Sequence, residues 1–102
     1  MIGIIWYDNF TNGQSQLEWV KRKYKSREIN TIKELYSEKN KMIIATFENG
    51  DVWHLKSAYA LTCGVRCNVS YIESTIPRDI VMHVIQPCAY NSPYHKYEEH
   101  IF

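Results

Sequence analysis

Residues 45–74 read ATFENGDVWHLKSAYALTCGVRCNVSYIES, and their reading decides the fold. The segment KMIIATF, 41–47, is apolar and β-branched, and DVWHL, 51–55, returns after ENGD. The Asn49–Gly50 pair predicts a type I′ hairpin turn, because both central residues of that turn need positive φ. On the return strand Val52 and His54 fall on one face, with Trp53 and Leu55 near the other. A loop is expected over 56–68, with a helical turn at SAYAL. VSYI, 69–72, then predicts a short strand that ends at the acid Glu73.

Upstream, IGIIWYD (2–8) is an unbroken apolar run of β-branched and aromatic residues that stops at NFTNG. Such a run suits a central strand covered on both faces. A helix is expected from Ser15, since Ser15 and Glu18 have the spacing of a capping box. Leu17, Val20 and Tyr24 then repeat at helical steps. INTIKELYSEKNK fits either a helix through Ile29, Ile32 and Tyr36 or a strand over about 31–36, and the strand is the reading adopted. Pro77 stands where a second helix begins. Ile80, Val81, Val84 and Ile85 form its apolar face, and Pro87 is expected to end it. The tail, residues 87–102, is aromatic and charged without periodicity; docking on the body, crossing to a partner and mobility all remain open for it. The elements add up to one α/β domain over 1–102, a mixed sheet of about four to five strands with two main helices.

A chain of 102 residues has room for one hydrophobic core. Eight Tyr and three Trp favour binding surfaces as well as cores. The net charge of +1 supplies no global field toward nucleic acid or membrane, so such a partner needs a local patch. No run approaches the ~20 apolar residues of a membrane span, and no membrane partner is expected. MIGIIWYDNF has neither a basic n-region nor a small-residue cleavage site, and is not read as a signal peptide. Three cysteines, an odd number, then favour reduced thiols and a cytoplasmic location.

With the hairpin FENGDVW, the loop CGVRCNV and the strand end YIE in view, residues 42–87 resemble the Walker B half of phage large terminase-type ATPases, within the RecA-like P-loop class. The resemblance implies a hairpin at Phe47, Asn49 and Gly50, a loop carrying Gly64 and Arg66, and an acid at Glu73 that would serve a nucleotide-bound Mg²⁺. Glu73 is followed by Ser74 where the family often has a second acid, and Cys63 stands where it usually has Arg. None of the four glycines opens a G-x-x-x-x-G-K-[ST] cradle, whose backbone N–H groups and Lys such a site needs. No cofactor is expected.

Two surfaces remain as candidates. KRKYKSR places Lys21, Arg22, Lys25 and Arg27 around Tyr24, local positive density with a ring that could stack on a base. Trp53 with Tyr90, Tyr94, Tyr97 and Phe102 of the tail would give aromatic anchors for a protein partner. The pair Cys63/Cys67 has zinc-knuckle spacing, but no second pair follows and no metal site is assigned. No local signature supports a Cys–His nucleophile. Asp8 and Glu73 could both lie at the carboxyl ends of parallel strands, where ligand sites gather, though no E-x-K nuclease triplet exists. The expectation is a small non-enzymatic intracellular binding or inhibitor protein, encoded by a phage or mobile element, that occludes a host or viral protein. A nucleic-acid-binding accessory protein and a degenerate or split terminase-like ATPase fragment are the alternatives, and a homodimer is open.

Overall fold

The computed structural model describes residues 1–10, 13–37, 41–59 and 65–102. At its centre is β1 (Ile2–Tyr7), the strand expected from IGIIWYD, buried at every position after Ile2. Alternate side chains feed two cores on opposite faces of the sheet: Ile5 and Tyr7 enter one, Ile4 and Trp6 the other. Double-sided burial is why the run is continuously apolar rather than alternating.

Around β1 stand β2 (Thr31–Ser37), β3 (Met42–Phe47), β4 (Val52–Ser57), β5 (Val69–Ile72) and β6 (Glu98–Ile101). They form one six-stranded mixed sheet in the order β2-β3-β4-β1-β5-β6. Strands β4, β1, β5 and β6 run parallel, while β2, β3 and β4 form an antiparallel meander. The α/β class is as expected, and the ambiguous segment near residue 31 is a strand. The sheet exceeds the expected four to five strands because the tail supplies β6.

Helix α1 (Gly13–Lys25) lies on the first face, where Leu17, Val20 and Tyr24 pack with Ile5, Ile43, Phe47, Trp53 and Leu55. The side chain of Ser15, and with it the expected capping box, lies outside the described residues. On the second face α2 begins as one α turn at Arg78–Ile80, widens into a π-helix at Val81–Ile85 and tightens into a 3-10 turn at Gln86–Cys88. Pro77 precedes it as expected, and Ile80, Val81, Val84 and Ile85 face the core. Pro87 does not end the helix, which runs through Cys88. A proline lacks its N–H and clashes with the carbonyl four residues back, and a turn that is wide and then tight absorbs both effects.

The hairpin between β3 and β4 is present, but its turn is not type I′. Gly50 has φ +93°, whereas Asn49 is not among the described residues of positive φ. The Gly50 N–H donates to the Phe47 carbonyl (3.0 Å) and the Phe47 N–H to the Asp51 carbonyl (2.9 Å). This is a three-residue loop, a tight turn followed by a left-handed glycine. The Asn49 side chain accepts from the Asp51 N–H (3.1 Å), a local bond that holds the turn without positive φ at Asn49.

Gly3 is required for a different reason. A Cβ there would stand 2.6 Å from the ring carbons of Trp53. Gly3→Ala is therefore expected to lower stability by about 1–3 kcal/mol through overpacking. Gly50→Ala meets no atom within 4 Å and should cost roughly 1 kcal/mol, from backbone strain alone. Urea midpoints of the two variants check the order; an equal or larger loss at Gly50 would contradict it.

Candidate functional site

The basic residues of α1 divide on folding. Lys21 ion-pairs with Glu34 of β2 and sits 3.8 Å from Glu18. The bond to Glu34 is the main cause of its raised pKa. Arg22, Lys25 and Arg27 are exposed, with no carboxylate in ion-pair reach among the described residues. Tyr24 is not available to stack on a base, which corrects the expectation. Its ring lies 3.9 Å over Phe47, and its hydroxyl donates to Asp51 Oδ2 (2.6 Å). Burial first, and then the bond to Asp51, pushes the phenol up to about 12.

Trp53 is likewise removed from the surface. It is 1% exposed, and its indole Nε1–H donates to the Tyr24 hydroxyl (2.8 Å). Its expected role as an exposed anchor fails because odd positions of β4 face the α1 core. Nor do the tail aromatics form one patch. Tyr90 stacks on His95 at 4.3 Å, and Tyr97 packs against the α2 core and donates to Glu99 (3.2 Å). Phe102 meets Tyr7 edge-on at 6.2 Å, while Tyr94 stands 90% exposed.

Glu73 lies at the carboxyl end of β5, beside the end of β1. Its Oε1 accepts the N–H groups of Asp8 (2.9 Å) and Asn9 (3.4 Å). Asp8 is thus brought to Glu73, and its own Oδ1 accepts from the Tyr59 hydroxyl (2.8 Å). Burial, then the charge of Glu73, raises the pKa of Tyr7, whose buried hydroxyl has no hydrogen-bond partner among the described residues. Arg66 donates to the Pro87 (2.8 Å) and Ala89 (3.1 Å) carbonyls, and so holds the end of α2. Gly64 and Cys63 of the expected loop, with Ala60 and Leu61 of SAYAL, lie outside the described residues, whereas Ser57 ends β4 and Ala58 and Tyr59 form a turn. Cys67 is buried 3.4 Å from the Ser70 hydroxyl, and Cys88 donates to the Val84 carbonyl (3.3 Å). No group of three His, Cys, Asp or Glu positioned to hold a metal occurs among the described residues.

Two features escaped the sequence reading. The first is the outer edge of β2, where Ile32, Leu35 and Tyr36 are 65%, 49% and 58% exposed. Behind it, register aligns Leu35 with Ile44 and His54 across the face turned away from α1. The apolar cluster beneath α2 reaches Ile2, Ile4 and Trp6 but includes none of Val52, Ile44, Met42 or Leu35. These side chains are partly buried or exposed and share one band with Thr46, His54 and Lys56, in which Leu35 and Ile44 are the apolar pair at the free edge. The second is Trp19, half-exposed on α1. Neither carries a period of its own: β2 reads as a mixed polar strand, and Trp19 lies off the Leu17–Val20–Tyr24 stripe.

Compared with protein-family models, with curated proteins and with solved structures, the chain gives no match.

His54 lies in the band beside β2, and burial, then the Lys56 charge, lowers its pKa. The unfolded chain takes up this proton near pH 6.5, before the folded protein does. Stability from His54 is therefore full above about pH 6.5 and is lost as pH falls below it. The melting temperature should drop between about pH 7 and pH 5, and His54→Gln should flatten that slope. Thermal melts followed by circular dichroism across this range check it; an unchanged slope in the variant would contradict the assignment.

Proposed function

We propose that the protein is a small non-enzymatic binding protein that occludes a partner protein, and that β2 is its contact edge. The observation that carries this reading is the exposure of Ile32, Leu35 and Tyr36 on a seven-residue outer strand. An edge strand presents unpaired N–H and C=O groups to an extended segment, and alternate side chains supply the selectivity. The band of Leu35, Ile44 and Met42 gives such a partner an apolar face to cover once its backbone has paired. The resemblance of residues 42–87 to phage ATPases supports a phage or mobile-element setting, with a host or viral protein as the partner. Arg22, Lys25 and Arg27 support a second reading, contact with nucleic acid, because their charges are exposed and uncompensated among the described residues.

Immobilised protein should retain a partner from nuclease-treated lysate, and amide exchange on 31–37 should slow when that partner is added. The double variant Leu35→Lys/Tyr36→Lys should reduce capture at least tenfold with little change in melting temperature, because both side chains are exposed. Undiminished capture by the double variant, or capture that instead disappears with Tyr94→Ala, would overturn the assignment to β2. Light scattering of the protein alone distinguishes a homodimer formed through the same edge.

A further inference from the structure

A cavity of about 280 Å³ opens between α1 and the β5–β6 side of the sheet. Ile5 forms part of its lining, Trp19 and Gln16 come from α1, Tyr71 from β5 and Phe102 from beyond β6. The lining is mostly apolar ring and methyl surface with one amide, the usual makeup of a small-molecule site. Its volume lies just below the range that encloses drug-sized ligands and suits a single ring system. A Trp that only sealed the core would leave no such space. Trp19 instead stands 38% exposed, edge-on to Tyr71 with 5.3 Å between centroids.

Charge lies at the mouth. The Lys23 ammonium hovers 5.4 Å from the Trp19 ring and 5.9 Å from the Tyr71 ring. Neither Lys23 nor Arg22 reaches a carboxylate within ion-pair distance among the described residues. One face of Tyr71 is taken by His100, stacked at 4.8 Å. The ring surface left to a ligand therefore belongs to Trp19 and Phe102.

We infer that this cleft binds a nucleobase carrying a phosphate, either as a free nucleotide or as one residue of a single strand. The inference extends the nucleic-acid reading and assigns it a pocket distinct from the exposed cations. The base stacks on Trp19 in the position Lys23 covers in the free protein, and the displaced ammonium meets the phosphate. Gln16 offers an amide, both donor and acceptor, to the edge of the base. An uncharged aromatic ring would forgo the Lys23 contact, and a bare phosphate would leave the cleft empty.

Trp6 and Trp53 are each 1% exposed, so quenching of tryptophan emission reports on Trp19. AMP should quench saturably with a Kd below about 1 mM, adenosine should bind more weakly, and inorganic phosphate should not quench. By calorimetry, Trp19→Ala should weaken AMP roughly tenfold, the scale of a lost base–ring stack, and Trp19→Phe should restore most of it. Lys23→Gln should weaken AMP and leave adenosine unchanged. Oligoadenylate binding at least tenfold tighter than AMP, with steep salt dependence, would identify a single strand as the source; equal affinities would identify the free nucleotide. If oligoadenylate binds equally well to Trp19→Ala and loses affinity only when Arg22, Lys25 and Arg27 become Ala, the cleft is refuted and the basic-helix reading stands. No binding of either ligand to the unaltered protein would overturn both.

Discussion

The indole of Trp53 lies directly against the backbone of Gly3, and much of the molecule is arranged around that contact. Its ring carbons take the place a side chain at position 3 would fill, so β4 and β1 pair with an aromatic plate over their junction. From the plate, Nε1 donates to the Tyr24 hydroxyl, which in turn donates a hydrogen bond to Asp51. Three elements are thereby tied together: the central strand pair, the last turn of α1 and the β3–β4 hairpin. Burial alone would raise the pKa of Asp51. The hydrogen bonds it accepts, from Tyr24 above all, outweigh burial and hold it below the usual carboxylate value. A buried donor stripped of its partner costs about 1–3 kcal/mol, so the chain of bonds is a strong reason for α1 to settle in this one orientation.

The same double-sidedness explains the carboxyl end of the sheet. The chain leaves β1 toward α1 on one face and leaves β5 toward α2 on the other, so the two connections depart to opposite faces where Glu73 stands. Ligands of open α/β sheets often occupy such a switch point. Here Glu73 already receives the N–H groups of Asp8 and Asn9, which closes the end of β1 onto β5. That engagement gives the acid a structural task in the isolated chain, whatever else it meets.

The legible parts of the sequence were those in which one physical demand dominated. Burial on both faces wrote IGIIWY as an unbroken apolar run, and a turn that needs a left-handed residue wrote Asn49–Gly50. The turn type was not legible, because the same dipeptide serves either a two-residue or a three-residue loop. The strand β6 was missed because EEHI is exposed along its whole length, which leaves no buried–exposed alternation to read; beyond backbone pairing, His100 stacks on Tyr71 of β5. Trp53 and Tyr24 were misassigned to surfaces because aromatic residues suit cores and interfaces equally well, and composition cannot say which face they will meet. Trp19, by contrast, breaks the period of its helix, and an aromatic residue off the apolar stripe is the signal that would have singled it out.

The two free edges of the sheet show how unevenly the chain protects itself. On β6, four residues carry two glutamates and a histidine, and a short charged edge discourages pairing. On β2, seven residues carry three large exposed apolar side chains, while Glu34 is drawn toward Lys21 of α1. A bulge between Thr31 and Lys33 disrupts only the start of that strand. The stretch from Leu35 to Ser37 remains regular, paired on its inner side with Met42 through Ile44. With α1 occupying one face and α2 confined to the half of the other beneath Ile4 and Ile72, three large exposed apolar side chains, Ile32, Leu35 and Tyr36, stand together on β2, while Met82, Tyr94 and Ile101 are exposed singly elsewhere. An edge left open in this way is a liability for an isolated domain and an asset for one that pairs with a partner, which is why the binding reading rests on β2 rather than on the tail.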